Sequence, residues 1–327
     1  PPTAWTDWAG SERADPLPPY REAVVEYARG FGSTPEGLRV AVDCGNGMAS
    51  VATPRVLAAM GAKVVALNDN VDGHFPGRES KPTPESLADL RAFLAEDDAV
   101  LGFGHDGDAD RIVLLDDDGD VVHEDTVVAI LAERYVRESQ AGDPVVVTTP
   151  NASARIDERV RAAGGRVERV RLGALHEGVE SAYEVGGPET AVVFAAEPWK
   201  HVHPGFGPWI DGVASAAVLS RLVAEGGLET LRAPVTERPY RKVSVACPDE
   251  HKRSVVATLA TTLPDAFPES DLDTEHGVRI ERPDGSWLLV RPSGTEPYVR
   301  LYAESDDVDD LVERARELVE AALERAG

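Results

Sequence analysis

The chain has 327 residues, more than one hydrophobic core usually organises, and carries 58 acidic against 33 basic residues for a net charge of −25. A field of that sign repels nucleic acid and anionic membrane. No run approaches the 18 apolar residues of a membrane span, and the opening PPTAWTDWAGSERADPLPPY lacks the basic-then-apolar order of a secretory signal. Only five of the basic residues are lysine, an acidic surface of the kind expected in a salt-rich cytoplasm, and Cys44 and Cys247 read as free thiols in a reducing compartment.

In chain order, a proline-rich lead-in gives way to REAVVEYARGF, whose apolar spacing is helical. LRVAVD then reads as a strand, CGNGMAS as a turn, TPRVLAAMGA as a helix and KVVAL as a strand, a βαβ unit with a parallel strand pair. PESLADLRAFLAE is a helix, and AVLGFG is a strand that delivers HDGDADR at its carboxyl end. RIVLLDDDGDVV reads as a hairpin turning at Asp118-Gly119, with its acidic cluster solvated. A second α/β unit starts near Asp143 with PVVVTT, a helix opened by the Asn or Ser of NASARIDERVRAAGG, RVERVRL, and ETAVVFAAE ending at Glu197. From about Thr236 the period-two segments YRKVSVACP, GVRIERPDGSWLLVRPS and VRLYAES indicate an antiparallel sheet, closed by a helix in DVDDLVERARELVEAALERA.

The expected fold class is α/β: two consecutive α/β mixed-sheet domains, then a smaller α+β C-terminal domain. The expected boundaries are a linker over 1–19, an α/β domain over 20–138, an α/β domain over 139–236, and an α+β domain over 237–327.

Asp106, Asp108 and Asp110 alternate, so on extended backbone they would not all face one way. They converge only if the backbone loops tightly, which Gly107 favours; the loop then offers three oxygens to a hard divalent cation, Mg²⁺ before Ca²⁺. The alternative is a solvated acidic turn. An EF-hand is excluded, because its sixth position needs glycine and here is Arg111. The position after an apolar strand is where α/β sheets place their sites, and Arg111 suits a phosphate. The glycine-rich DCGNGMAS fits neither G-x-G-x-x-G nor a P-loop and reads as a structural turn.

HDGDADR together with RPSGTEPYVRLYAE resembles the α-D-phosphohexomutase family, and DGHFPGRESKPTPESL and VVVTTPNASARI agree in family order over about residues 20–305. The resemblance implies an isomerase that moves a phosphoryl group between O6 and O1 of a sugar through a bisphosphate intermediate, using a phosphoserine and Mg²⁺. It implies Asp106, Asp108 and Asp110 as metal ligands and Arg111 as a contact to substrate or phosphoserine. It also implies a phosphate loop of Arg291, Ser293, Gly294 and Thr295 that holds the non-reacting phosphate. The family's sugar loop, Gly-Glu-x-Ser-Gly-His, corresponds to AAEPWKH. That correspondence gives Glu197 sugar hydroxyls and His201 an acid–base or phosphate role, while Trp199 and Lys200 depart from the pattern. A zinc site of Glu197, His201 and His203, or histidines packed against Trp199 or Trp209, are the competing readings of this stretch.

The family's serine loop, of the form Thr-Ala-Ser-His-Asn-Pro, does not occur in this sequence. The expectation is therefore domains two to four of a cytoplasmic mutase whose serine-bearing domain belongs in cis. The alternative is a catalytically silent module that binds sugar phosphates. Ser153 is read as a helix cap, not as the reactive serine.

Overall fold

The computed structural model describes residues 11–327, so the first ten residues of the expected linker lie outside the described residues. Helix α1, Leu17–Ala28, begins inside that linker, because Pro18 and Pro19 occupy first-turn positions where the missing N–H is not needed. Strand β1 (Arg39–Asp43), helix α2 (Thr53–Ala59) and strand β2 (Lys63–Leu67) form the expected βαβ unit, with β1 and β2 parallel. Helix α3 (Ala88–Glu96) starts later than its periodicity suggests, because the Thr83 and Ser86 side chains each accept from the other's backbone N–H and hold a turn there. Strand β3 (Leu101–His105) lies parallel to β1, and β4 (Ile112–Leu115) runs antiparallel to β3. The expected hairpin closes with Gly119 at φ 78°, but its second arm is a single Leu115–Val121 bridge. The first sheet is ordered β2-β1-β3-β4.

Helix α4 (Glu124–Glu138) leads to β5 (Asp143–Thr148), α5 (Ala154–Ala162), β6 (Arg166–Arg169), α6 (Leu175–Val185), β7 (Thr190–Glu197) and β8 (Lys200–Val202). The second sheet is ordered β6-β5-β7-β8, parallel except for the β7–β8 hairpin. Helices α7 (Gly212–Gly226) and α8 (Leu228–Arg232) precede the last unit. There β9 (Tyr240–Ala246), α9 (Asp249–Ala266), β10 (Asp271–Asp273), β11 (Val278–Glu281), β12 (Trp287–Pro292), β13 (Tyr298–Glu304) and α10 (Val308–Ala326) form an antiparallel sheet ordered β10-β11-β12-β13-β9, with both helices on its apolar face. The fold class is as the sequence indicates.

Packing does not divide at residue 138. Helix α4 lies against α5 and β7 of the second sheet, while α7 lies against α1 and α2 of the first. One core therefore runs through both α/β units, from Val24 and Val56 through Leu131 to Phe194 and Leu219. The C-terminal unit has its own core around Leu259, Leu288, Leu301 and Val319. It is tied to α5 by Arg155, whose Nη2 lies 2.8 Å from Glu304 Oε1 with both side chains at most 1% exposed, and Trp287 Nε1 donates to the other Glu304 oxygen at 2.9 Å. Cys44 and Cys247 are buried and free. No helix among the described residues is long and apolar enough to cross a membrane.

Candidate functional site

Strand β3 ends in a buried histidine that anchors the aspartate loop. Burial holds His105 neutral, with its pKa lowered to about 4, and its Nδ1 sits 2.9 Å from Arg111 O and its Nε2 3.2 Å from Thr53 Oγ1. Asp106 Oδ1 accepts from Arg111 N at 3.1 Å, so the loop closes on itself. The three carboxylates present oxygens within 4.8 Å of one another. Burial, aided by the Asp110 and Asp108 charges, lifts Asp106 to about 6. Such crowding of hard oxygen donors fits a divalent metal ion. Arg111 Nε stands 3.5 Å from Asp106 Oδ2 and 3.9 Å from Asp110 Oδ1.

Gly107 is needed for a different reason from the one its sequence suggests. The left-handed residue of the loop is Ala109, at φ 62°, whereas a Cβ at Gly107 would come within 2.9 Å of the Phe75 ring. The turn in DCGNGMAS packs against the aspartate loop and buttresses it. Met48 N donates to Gly107 O at 2.9 Å, and a Cβ at Gly47 would sit 2.5 Å from that oxygen. Beneath both loops lies Arg78, whose Nε is 2.9 Å from the buried Asp43 carboxylate and whose Nη2 donates to His105 O at 2.6 Å. Sequence reading missed Arg78, because nothing local marks an arginine as buried.

The second α/β unit brings its own loop to the metal loop. Strands β7 and β8 are joined by the two-residue turn Pro198-Trp199, so Glu197 and Lys200 face each other in register. Both line a cavity of about 640 Å³, with Gly173, His176, Tyr183 and Trp209 on its other walls. Glu197 Oε1 accepts from Gly173 N at 2.5 Å. Lys200 Nζ lies 2.5 Å from Asp110 Oδ2, so one side chain lines the cavity and touches the aspartate loop.

His201 corrects the expectation set by its spacing from Glu197. Side chains alternate along a strand, so with Lys200 and Val202 facing the cavity, His201 faces inward. It is 1% exposed, its Nδ1 is 2.9 Å from Ser215 Oγ, and burial lowers its pKa to about 3. His203 is equally buried, 2.8 Å from the same hydroxyl and 2.6 Å from the Tyr135 hydroxyl. The two histidines pack on Phe194, not on Trp199 or Trp209, and among the described residues they form no metal-ligating group with Glu197.

Arg291, Ser293, Gly294 and Thr295 run from the end of β12 into the turn before β13. A Cβ at Gly294 would enter open space, Thr295 is exposed, and Ser293 is 7% exposed. Two groups not singled out from sequence complete this loop. Lys252 of α9 donates to Ser293 O at 2.7 Å and Glu296 O at 2.6 Å, and Arg300 stands opposite Arg291 in register. Burial alone would raise the Tyr302 phenol, yet Arg300, Arg291 and Lys242 outweigh it and hold its pKa below the ordinary value. A local positive potential in a chain of net charge −25 is suited to an anion. No hydrogen bond or ion pair among the described residues joins this loop to the metal loop. Lysine scarcity was the usable signal: of five lysines, Lys81 and Lys200 flank the aspartate loop and the β7–β8 turn, and Lys242 and Lys252 flank the loop from Arg291 to Thr295. Ser153, as expected, caps a helix, accepting from Arg155 N.

Fold and site define a multi-unit α/β protein with a cluster of three carboxylates at a strand end and a basic loop in a separate C-terminal unit. Comparison with known sequences specifies the family. The profile of the phosphoglucomutase/phosphomannomutase α/β/α domain II matches residues 18–119, and that of the C-terminal domain matches 243–321. A phosphopentomutase from Thermococcus kodakarensis is 38% identical over 98% of this chain and 70% of its own length. A probable phosphoglucosamine mutase from Methanopyrus kandleri is 43% identical over 86% of this chain and 60% of its own. A crystal structure of a phosphoglucomutase/phosphomannomutase family protein from Burkholderia thailandensis superposes with a TM-score of 0.81 at 25% identity, covering 97% of this chain and 66% of that one. The chain belongs to the α-D-phosphohexomutase family, whose members are mutases, and it spans 60–70% of the length of these two relatives.

Proposed function

We propose that this chain forms the metal-, sugar- and phosphate-binding part of a phosphohexomutase that interconverts sugar 6-phosphates and sugar 1-phosphates through a bisphosphate. The observation that carries the reading is the 2.5 Å contact of Lys200 with Asp110, which opens the metal loop onto the cavity holding Glu197. Asp106, Asp108 and Asp110 would hold Mg²⁺, which when bound neutralises charge on the phosphoryl oxygens in transfer. Arg111 would orient the reacting phosphate with its fork of donors. Glu197 would accept from sugar hydroxyls in the cavity. Arg291, with the Ser293 and Thr295 hydroxyls and Gly294 N–H, would hold the non-reacting phosphate, with Arg300 and Lys252 shaping that loop. His201 is left out of this assignment, because its side chain faces the core. The phosphoserine that exchanges the group is not among these residues, so turnover calls for a serine supplied from outside them. The relatives' names differ in the sugar, pentose against glucosamine, and the sugar stays unassigned here.

Asp108 is the exposed member of the triad. Asp108→Asn should therefore change thermal stability by less than about 0.5 kcal/mol while weakening Mg²⁺ binding about tenfold or more. Calorimetric Mg²⁺ titration with the same affinity in both proteins would overturn the metal assignment. In the intact, serine-bearing enzyme, Arg291→Ala should raise KM by roughly tenfold or more with a smaller change in kcat, because it removes binding shared by ground and transition states. An unchanged KM would remove the loop from phosphate binding.

A further inference from the structure

Lys200 stands where the family's sugar loop has glycine, and its surroundings give it a choice of partners. We propose that Lys200 is a positioning residue that makes occupancy of the metal loop depend on an anion in the sugar cavity. The inference rests on reading Asp106, Asp108 and Asp110 as a Mg²⁺ loop.

The backbone around Lys200 is fixed. Trp199 holds φ 66° at the third position of the β7–β8 turn, a conformation that favours glycine. It is kept there by Ile112 N donating to Trp199 O at 3.0 Å, and by an antiparallel bridge between Arg111 and Lys200. The Trp199 ring packs on the core cluster of Ala41, Leu87, Val113 and Leu115, with Lys81 Nζ 6.0 Å from its centroid. Only the four-carbon side chain of Lys200 can move. In the structure its ammonium lies on Asp110 Oδ2, with both side chains about a quarter exposed, and its stem lines the cavity beside Glu197 and Glu180.

A bound dication and this ammonium would compete for one carboxylate and repel each other at close range. Metal entry therefore displaces the ammonium from Asp110. Lysine suits such a move, being a compact charge on a flexible stem. The side it can move to is the cavity it already lines, where Glu197 and Glu180 are the charged groups and a phosphate would bring compensating negative charge. An empty cavity thus favours Lys200 on Asp110 and opposes the metal. A phosphate in the cavity holds Lys200 away and admits the metal, and the coupling is reciprocal in binding free energy. A glycine or serine at this position could do neither.

The test is Mg²⁺ titration calorimetry on this chain at constant ionic strength, with and without saturating inorganic phosphate, corrected for Mg²⁺–phosphate complexation. The wild type should bind Mg²⁺ several-fold more tightly with phosphate present. Lys200→Met should bind Mg²⁺ about two- to fivefold more tightly than wild type without phosphate, as expected for loss of a partly exposed ion pair, and should gain little from adding it. Lys200→Arg should keep the phosphate dependence, and matched thermal midpoints would confirm that the variants fold. Unchanged or weaker Mg²⁺ binding in Lys200→Met, or no phosphate effect in the wild type, overturns the proposal and leaves Lys200 a structural ion pair. Failure of the wild type to bind Mg²⁺ at all overturns this proposal and the metal assignment together, whereas loss of binding in Asp108→Asn alongside an unchanged Lys200→Met overturns this one alone.

Discussion

Arg78→Met should destabilise the protein by about 3–5 kcal/mol and weaken metal binding in the same variant. Asp43, at the end of β1, is fully buried. Its Oδ1 accepts from Gly45 N at 2.8 Å and Asn68 Nδ2 at 3.1 Å, and among the described residues Arg78 alone pairs with it as a charge, 2.9 Å from Oδ2. Removing the guanidinium leaves a carboxylate in low dielectric with two neutral donors, the situation in which breaking a buried pair costs most. The same side chain donates to the carbonyls of His105, Glu79 and Ser80, so with Asp43 it ties the ends of β1 and β3 to its own loop just before Asp106. Thermal unfolding and Mg²⁺ titration of the variant check both halves. Adding Asp43→Asn should recover part of the stability, because no buried charge is then left unpaired, but not the metal affinity. A loss below about 1 kcal/mol, the size of an ordinary hydrogen bond, would show that water reaches Asp43 and that Arg78 is not its necessary counter-charge.

For the loops at strand ends, the sequence was informative. Strand β3 is apolar and ends at His105, and β7 is apolar and ends at Glu197, so the loops after them were placed by simple periodicity. Two kinds of information were out of reach. Helix α7 is buried on nearly every face and α4 is buried without a break over 125–132, so neither shows a one-sided apolar stripe along its whole length. Those two helices are also the ones exchanged between the α/β units, and so the unit boundaries were not legible. The other loss is strand register. Glu197 and His201 are four residues apart, which places them together only if the intervening loop has its family shape. The two-residue turn instead pairs Glu197 with Lys200 and turns His201 inward, and a spacing of residues cannot reveal a turn held by Trp199 at positive φ. Resemblance to a family assigned His201 a role in this loop, and the register of the β7–β8 turn faces that side chain into the core.

The same reasoning about buried charge predicts a pH dependence at the joint between the α/β core and the C-terminal unit. Asp125, in the first turn of α4, is 4% exposed and accepts from Ser153 N at 3.1 Å. Burial is the main reason its pKa rises from 3.8 to about 7, with Glu124 and Glu304 adding to the rise and Arg155 opposing it. Because the folded-state value is the higher one, the native protein binds a proton that the unfolded chain releases. Asp125 therefore contributes its full stability below about pH 4, and that contribution is lost as pH rises through about 7. A rise of this size corresponds to roughly 4 kcal/mol at most, with Arg155 close enough to absorb part of it.

Asp125→Asn keeps an oxygen for Ser153 N and cannot ionise, so it should match the wild type below about pH 4, where both states of the wild type are protonated, and exceed it by about 2–4 kcal/mol near pH 8. In calorimetry at fixed salt that is a difference in thermal midpoint of several degrees, growing with pH. A difference that stays constant from pH 5 to 8 would show that Asp125 is ionised throughout and that Arg155 serves it as counter-ion. In that case the Arg155–Glu304 pair could not be treated as a self-contained tie between the units. If the difference grows as expected, Arg155 belongs to Glu304, and that buried ion pair ties the C-terminal unit to α5 beside an acid that is neutral below about pH 7, together with Arg279 of β11, which donates to the Pro150 and Ala152 carbonyls.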